Sequence, residues 1–240
     1  MKRLLVAAGL VGLVLVAGLA AGYIYFFSGL RTTPKPLALS TATPQASASP
    51  AAASSAGLAG TWTVSSGSQA GYRVSEQFVG QTSSHEAVAR TSSVIGGLTV
   101  QRGSSGFQAT AIKFTAQLAN LQSVDQVAGF NVGQRDRIVS QTLSVSQFGE
   151  ATFQAQSVDL PASVADGSAQ TVTIPGQLTI HGVTRQVQVK ADIKLSGSQA
   201  QAVGSTSFNM TDFGINPPQV PITTVQPGVT LEFQLVLVKA

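Results

Sequence analysis

From Gly60 to Ala240 the side chains alternate between apolar and polar, and a period of two dictates strands. Val187, Val189, Ala191, Ile193 and Leu195 alternate with Gln188, Lys190, Asp192 and Lys194. Ile112, Phe114, Ala116 and Leu118 alternate with Lys113, Thr115 and Gln117, and Leu231, Phe233, Leu235 and Leu237 share one face of the last run. Successive side chains of a strand point to opposite faces, so each run reads as a half-buried strand. Turn chemistry separates the runs: Gly103-Ser104-Ser105-Gly106, Asp166-Gly167 and Ser196-Gly197-Ser198, where glycine supplies the positive φ of tight reversals. Many strands joined by short turns predict an all-β, antiparallel sandwich or barrel. Leu121 to Val139 lacks clean alternation, and a short helix or long loop is expected there. A membrane-spanning barrel needs aromatic girdles; Trp62 and Tyr72 are the only Trp and Tyr after residue 60, which argues against it.

A second feature precedes this domain. Leu4 to Phe27 carries no charge and is almost wholly apolar. As a helix it would span about 36 Å, enough to cross a hydrocarbon core of about 30 Å. Lys2 and Arg3 precede it, so the positive-inside rule places the N-terminus in the cytoplasm and the rest outside. Residues 1–30 are therefore expected to form a cytoplasmic stub and single transmembrane anchor of the cell membrane. The alternative is a signal peptide, cleaved to leave a secreted domain, although its apolar region usually runs only about 7–15 residues. Residues 31–59 are rich in Ala, Ser, Thr and Pro without periodicity. They read as a disordered spacer, because such a composition buries too little to offset ordering entropy.

Location of the charges excludes one class of partner. The formal charge of +4 comes from Lys2, Arg3, Arg31 and Lys35; from Gly60 onward there are ten basic and ten acidic residues. A neutral domain lacks the basic stripe of a nucleic-acid binder. Chemistry-bearing motifs are sparse. Cysteine is absent and the two histidines are His85 and His181, which leaves no metal-ligand spacing and no thiolate nucleophile. His85-Glu86 begins like a zinc-peptidase helix but lacks the second histidine at position 89, and no nucleophile elbow or phosphate-binding loop occurs. No cofactor is expected.

Four segments resemble one family. GQLTIHGVTRQVQV, Gly176 to Val189, is similar to the YceI-like signature in which a strand ending in L-x-I/L-H-G-V-T-R turns into the next. NMTDFGI, Asn209 to Ile215, resembles its N-R-x-D-F-G segment, with Met210 where arginine is common. Arg135-Asp136 resembles its R-D pair, and Ala151-Thr152-Phe153 its A-T-F strand. The resemblance covers residues 60–240 and implies a lipocalin-like antiparallel β-barrel of about eight strands with a long apolar cavity. It further implies extracytoplasmic binding of a polyisoprenoid or similar amphiphile, and no catalytic residues.

Candidate wall residues are Phe78, Phe114, Phe130, Phe153, Phe208 and Phe213. Each is a core-packing aromatic in the plainest reading; the functional reading makes it a lining of a ligand cavity. His181, Arg135, Asp136, Arg185 and Asp212 are candidates for a head-group contact or a structural motif. His181 reads as a turn residue, and Arg185 and Asp212 as a structural ion pair. Two functions compete. One is a membrane-tethered binding protein that carries, stores or senses an isoprenoid-like lipid. The other is a non-enzymatic envelope interaction domain with a filled barrel. A hydrolase built on His181 with a distant serine is the third and weakest reading.

Overall fold

The computed structural model describes residues 16–20, 31–39, 58–79, 84–103, 106–127, 132–196 and 198–240. Of Leu4 to Phe27, residues 16–20 are helical and exposed, and the remainder lies outside the described residues. Among the described residues no helix is long and apolar enough to cross a membrane.

The described residues form fourteen strands: β1 (Arg31–Thr32), β2 (Gly60–Val64), β3 (Gln69–Phe78), β4 (His85–Thr91), β5 (Val94–Arg102), β6 (Gly106–Gln117), β7 (Gln122–Ser123), β8 (Gln126–Val127), β9 (Glu150–Pro161), β10 (Gln170–Ile180), β11 (Val183–Ser196), β12 (Gln199–Asn209), β13 (Gln219–Val220) and β14 (Thr223–Lys239). Besides the helical residues 16–20, one α-helix, α1, is described, spanning Val132–Thr142.

Several of these strands are segments of longer staves. β2 and β3 both pair antiparallel with β14, from Trp62 opposite Lys239 to Phe78 opposite Thr223, with a register shift between Val225 and Val229. The break at residues 65–68 is repaired locally. Ser65 donates its N–H to the Val236 carbonyl at 2.8 Å, and the Ser68 hydroxyl accepts from the Val236 N–H at 2.9 Å. β4 pairs with β3 and β5 with β2, so they form the second stave. β6 pairs with β5 and β7 with β4, across a 3-10 turn at Leu118–Asn120. From there β9, β10, β11, β12 and β14 follow in sequence order, and β14 closes on the first stave. The result is an eight-staved, up-and-down antiparallel barrel, as the alternation and the resemblance predicted. Closure leaves no long unpaired edge.

Alternation places the apolar faces inside. At one end, the base, Trp62, Val94, Val100, Phe107, Ile112, Leu235 and Leu237 form a buried cluster, sealed by Leu58 and Val164. The Trp62 indole N–H donates to the Leu58 carbonyl at 2.8 Å, which satisfies the one polar atom of a side chain that is 3% exposed. At the other end, the mouth, the stretch without alternation resolves into β7, β8 and α1. The helix starts within the predicted window and runs three residues beyond it.

The spacer reading requires a correction at its start. Residues 31–39 lie along the outside of the barrel: β1 pairs with β8, Arg31 opposite Val127 and Thr32 opposite Gln126. What overrides the polar composition is a set of buried outward-facing charges. Arg73 and Glu232 are 6% and 3% exposed and bridge at 2.8 Å. Arg90 bridges Glu232 and Arg73 bridges Glu86. The remaining guanidinium donors take the Pro34 and Lys35 carbonyls at 2.7 and 2.8 Å. Residues 40–57 lie outside the described residues.

Candidate functional site

Two cavities occupy the barrel axis. The larger, about 460 Å³, lies toward the mouth between the strands and α1. The smaller, about 160 Å³, lies toward the base and is walled by Leu98, Phe114, Phe153, Ile174 and Leu178 among others. Ala70, Ala116, Ala151 and Leu231 line both, so the cavities abut at a waist. Three of its four residues are alanine, the smallest chiral side chain, and Ala116 stands opposite Ala151 across β6 and β9.

The mouth is covered by one face of α1. Val132, Arg135, Ile138, Val139 and Thr142 line the larger cavity at the three-and-four spacing that shares a helix face. No residue of this helix is fully buried, as expected of a lid over a cavity. Pro221 and Ile222 also line the cavity while standing exposed, and mark where it meets the surface.

The larger cavity has a polar pole. Tyr72, Val74, Glu76 and Phe78 point inward from β3. The Arg135 guanidinium donates to Asp125 Oδ1 at 2.7 Å and Oδ2 at 2.8 Å, and to Glu76 Oε2 at 3.0 Å. Asp125 also accepts from the Val88 N–H at 3.0 Å and lies 2.7 Å from His85 Nε2. Burial pushes the Glu76 carboxyl above its usual range, against the opposing pull of Arg135. Burial would raise Asp125 as well, but the hydrogen bonds of His85, Arg135 and Val88 outweigh it and hold that carboxyl low. The Tyr72 phenol is pushed well up by burial and stays a neutral O–H donor. One phenol, one buried carboxyl and one guanidinium thus face a largely apolar space. Among the described residues no group of three His, Cys, Asp or Glu could hold a metal ion.

The predicted residues separate by position. Phe78 and Phe208 line the larger cavity, and Phe114 and Phe153 the smaller. The Phe153 ring lies over Gly176, where an added Cβ would meet the ring at 2.4 Å; only glycine leaves that space. Phe213 is a correction. It is fully buried, stacks edge-on with Phe208 at 4.7 Å and lines neither cavity, because the 3-10 turn at Met210–Phe213 directs it into packing with Leu178, Ile180 and Ile215. Phe130 lies outside the described residues.

Arg135 and Asp136 divide their work. Arg135 faces the cavity, whereas Asp136 accepts from the Ser123 N–H at 2.9 Å and hydroxyl at 2.7 Å, pinning α1 to β7. His181 and Gly182 both have positive φ, 53° and 73°, and form the two-residue hairpin between β10 and β11. The His181 ring lies edge-on to Phe148 at 4.9 Å, and this turn is a wall of neither cavity. The expected ion pair is corrected too. Arg185 donates to the Thr184 carbonyl at 3.1 Å, and Asp212 caps its own turn through the Asn209 N–H at 3.2 Å. Met210 lines the larger cavity, so its replacement of the common arginine makes that wall more apolar. Sequence reasoning missed Tyr72, Glu76 and Asp125. Glu76 was within reach: it shares the inward face of β3 with Tyr72, Val74 and Phe78, and an acid in such a row is an anomaly.

Comparison with known proteins agrees with this geometry. A UPF0312 protein of Pseudomonas syringae pv. tomato is 28% identical over 134 residues, 52% of this chain and 67% of that protein. A UPF0312 protein of Pseudomonas fluorescens is 36% identical over 92 residues, 35% of this chain and 46% of its own length. Among solved structures, a polyisoprenoid binding domain from Saccharophagus degradans implicated in plant cell wall breakdown superposes with a TM-score of 0.51 at 14% identity. It covers 75% of this chain and 98% of that domain, a likeness of fold. The YceI-like domain family matches residues 62–237, from the first barrel stave to the end of the last, and the chain belongs to that family.

Proposed function

We propose that this protein is a membrane-tethered, extracytoplasmic binding protein that holds one polyisoprenoid-like amphiphile in its barrel and performs no catalysis on it. The observation that carries the reading is the apolar cavity of about 460 Å³ that abuts a second of about 160 Å³ along the barrel axis. A linear hydrocarbon fits such a space, and each buried methylene contributes about 0.8 kcal/mol. The polar pole fixes polarity of insertion: the tail points to the base and Trp62, and the head group, a hydroxyl or quinone-like oxygen, meets Tyr72, Glu76 and Arg135. A filled-barrel interaction domain requires a packed interior, and the two cavities count against it. The tether rests on Leu4 to Phe27 and the Lys2-Arg3 charges before it.

The test is native mass spectrometry of residues 31–240, which retain the strap on the barrel wall, purified without detergent and paired with lipid extraction of the same sample. A co-purifying hydrophobic molecule near one-to-one is expected. A ligand-free mass that stays unchanged after incubation with isoprenoid quinones and polyprenyl lipids would move the assignment to the interaction domain.

A further inference from the structure

Residues 31–39 do more than cover a charged wall: they have a direction. β1 pairs with β8 in a two-stranded sheet beside the barrel, Arg31 opposite Val127, two residues along the chain from the Asp125 that holds Arg135 of the lid helix. The Thr33 hydroxyl donates to the Glu86 carbonyl at 3.2 Å, and Glu86 stands opposite Ser75, near the Phe78 end of β3. Pro34 and Lys35 then accept from Arg73 and Arg90, and the Leu37 N–H donates to Glu232 at 3.3 Å. Arg90 and Glu232 both stand opposite Gly71, so the strap has by then moved from the mouth toward the waist. Leu58 seals the base. Residues 31–37 therefore meet the barrel at its mouth and run along the outside toward the waist.

Only residues 28–30 separate the apolar run ending at Phe27 from Arg31. Four peptide steps reach about 14 Å at most. Large apolar side chains meet solvent on the mouth side of the barrel: Val79 is 72% exposed and Ile222 53%, joined by a hydrogen bond from the Val79 N–H to the Ile222 carbonyl at 3.0 Å. Ile222 also lines the larger cavity.

We infer that the strap holds the barrel mouth-down on the same bilayer that receives Leu4 to Phe27, so that Val79 and Ile222 contact the lipid surface and the cavity exchanges ligand with it directly. This rests on the tethered reading above. The charge cluster under the strap is the device that fixes the orientation: without it, the domain would swing on a spacer running from residue 28 to residue 57.

The absence of cysteine makes the test direct. Full-length chains carrying Val79→Cys, Ile222→Cys or, at the base, Ser168→Cys are labelled with an environment-sensitive dye. They are reconstituted into phosphatidylethanolamine–phosphatidylglycerol vesicles that contain a nitroxide lipid with a shallow label. Flotation first reports whether the protein is held by the vesicles. The expected result is flotation, a several-fold loss of emission at positions 79 and 222, and none at 168. A flexible Gly/Ser insert of roughly twenty residues between Phe27 and Arg31, with an r.m.s. reach of about 25 Å, should abolish the quenching and keep flotation. Protein that floats with all three positions equally unquenched overturns the orientation and leaves the tether standing. Protein that fails to float overturns both.

Discussion

The waist between the two cavities offers a decisive perturbation. Ala151 lines both cavities and faces Ala116 across the sheet; Ala151→Phe places a ring where two methyl groups now leave room. The base cavity of about 160 Å³ then becomes inaccessible to a tail entering from the mouth. Taking about 30 Å³ per water-sized unit, that space holds about five carbons, or one isoprene unit. At about 0.8 kcal/mol for each buried methylene, its loss costs a long ligand about 4 kcal/mol. The same figure follows from the roughly 24 cal/mol that each Å³ of apolar cavity is worth. At 1.36 kcal/mol per decade this is about a thousandfold in affinity. The assay is calorimetric titration with prenols of increasing length. Native protein gains affinity with each added isoprene unit until both cavities are occupied. The variant matches it for short ligands and then stops gaining about one unit early. The ring enters a space rather than a packed core, so circular dichroism and the unfolding midpoint should stay close to native. If the variant follows the native protein through the longest ligands, the cavities do not serve as one tail site and the axial reading is wrong.

Four further outcomes are expected. Asp125→Asn leaves Arg135 and His85 facing a lost buried charge and should cost about 3–5 kcal/mol in denaturant unfolding at neutral pH. Because the Asp125 carboxyl is held low, its contribution is present above the ordinary aspartate range and lost as pH falls through the folded value; the gap to native protein should close in acid, and a gap that persists unchanged refutes the charge argument. Glu76→Gln should show the opposite slope. The raised native carboxyl contributes most below the ordinary glutamate range and loses that contribution as pH rises through its folded value, so the variant's stability relative to native should rise over that interval in pH-resolved chemical denaturation. Phe213→Ala removes a fully buried ring and should cost about 3–5 kcal/mol, while ligand affinity per folded molecule stays native because the ring walls neither cavity. Gly182→Ala forces a Cβ to 2.6 Å from the Phe148 ring at a φ of 73°, a strain of about 1–3 kcal/mol that thermal unfolding should register.

The barrel was legible because its information is local and periodic. Alternation in β6, β11 and β14 named the inward faces, and glycine-bearing turns named the reversals. Position along the axis was not legible. Phe78, Phe114, Phe153 and Phe208 all read as inward, yet two wall the mouth cavity and two the base cavity, a difference set by stagger between staves rather than by spacing within one. Phe213 belongs to a 3-10 turn whose direction no period reports. Residues 31–39 show the sharper limit. Their composition is that of a spacer, and the reason they are ordered lies elsewhere, in Arg73, Arg90 and Glu232. Those charges sit on the outward face of their strands, where charge is ordinary; only the pairing of β3, β4 and β14 reveals that they converge.

The placement of the charged pole bears on how a ligand gets in. α1 has no fully buried residue, so apolar packing alone holds it weakly. Its hold comes from Arg135 on Asp125 and Glu76, and from Asp136 on Ser123. Lifting the helix would separate Arg135 from carboxylates that are 7% and 0% exposed. Removing a partner from a buried ion pair costs several kcal/mol, which makes the helix an expensive door. Among the described residues the opposite side of the mouth shows no such ion pair: Pro221 and Ile222 line the cavity and meet solvent at once. A tail entering there would meet Pro221, Ile222 and Val220 first, and would reach the waist before its head group arrived at Tyr72 and Glu76. On the proposed reading, the ionic network would keep the lid shut as much as receive a head group, and exchange would fall to the apolar rim at Pro221 and Ile222.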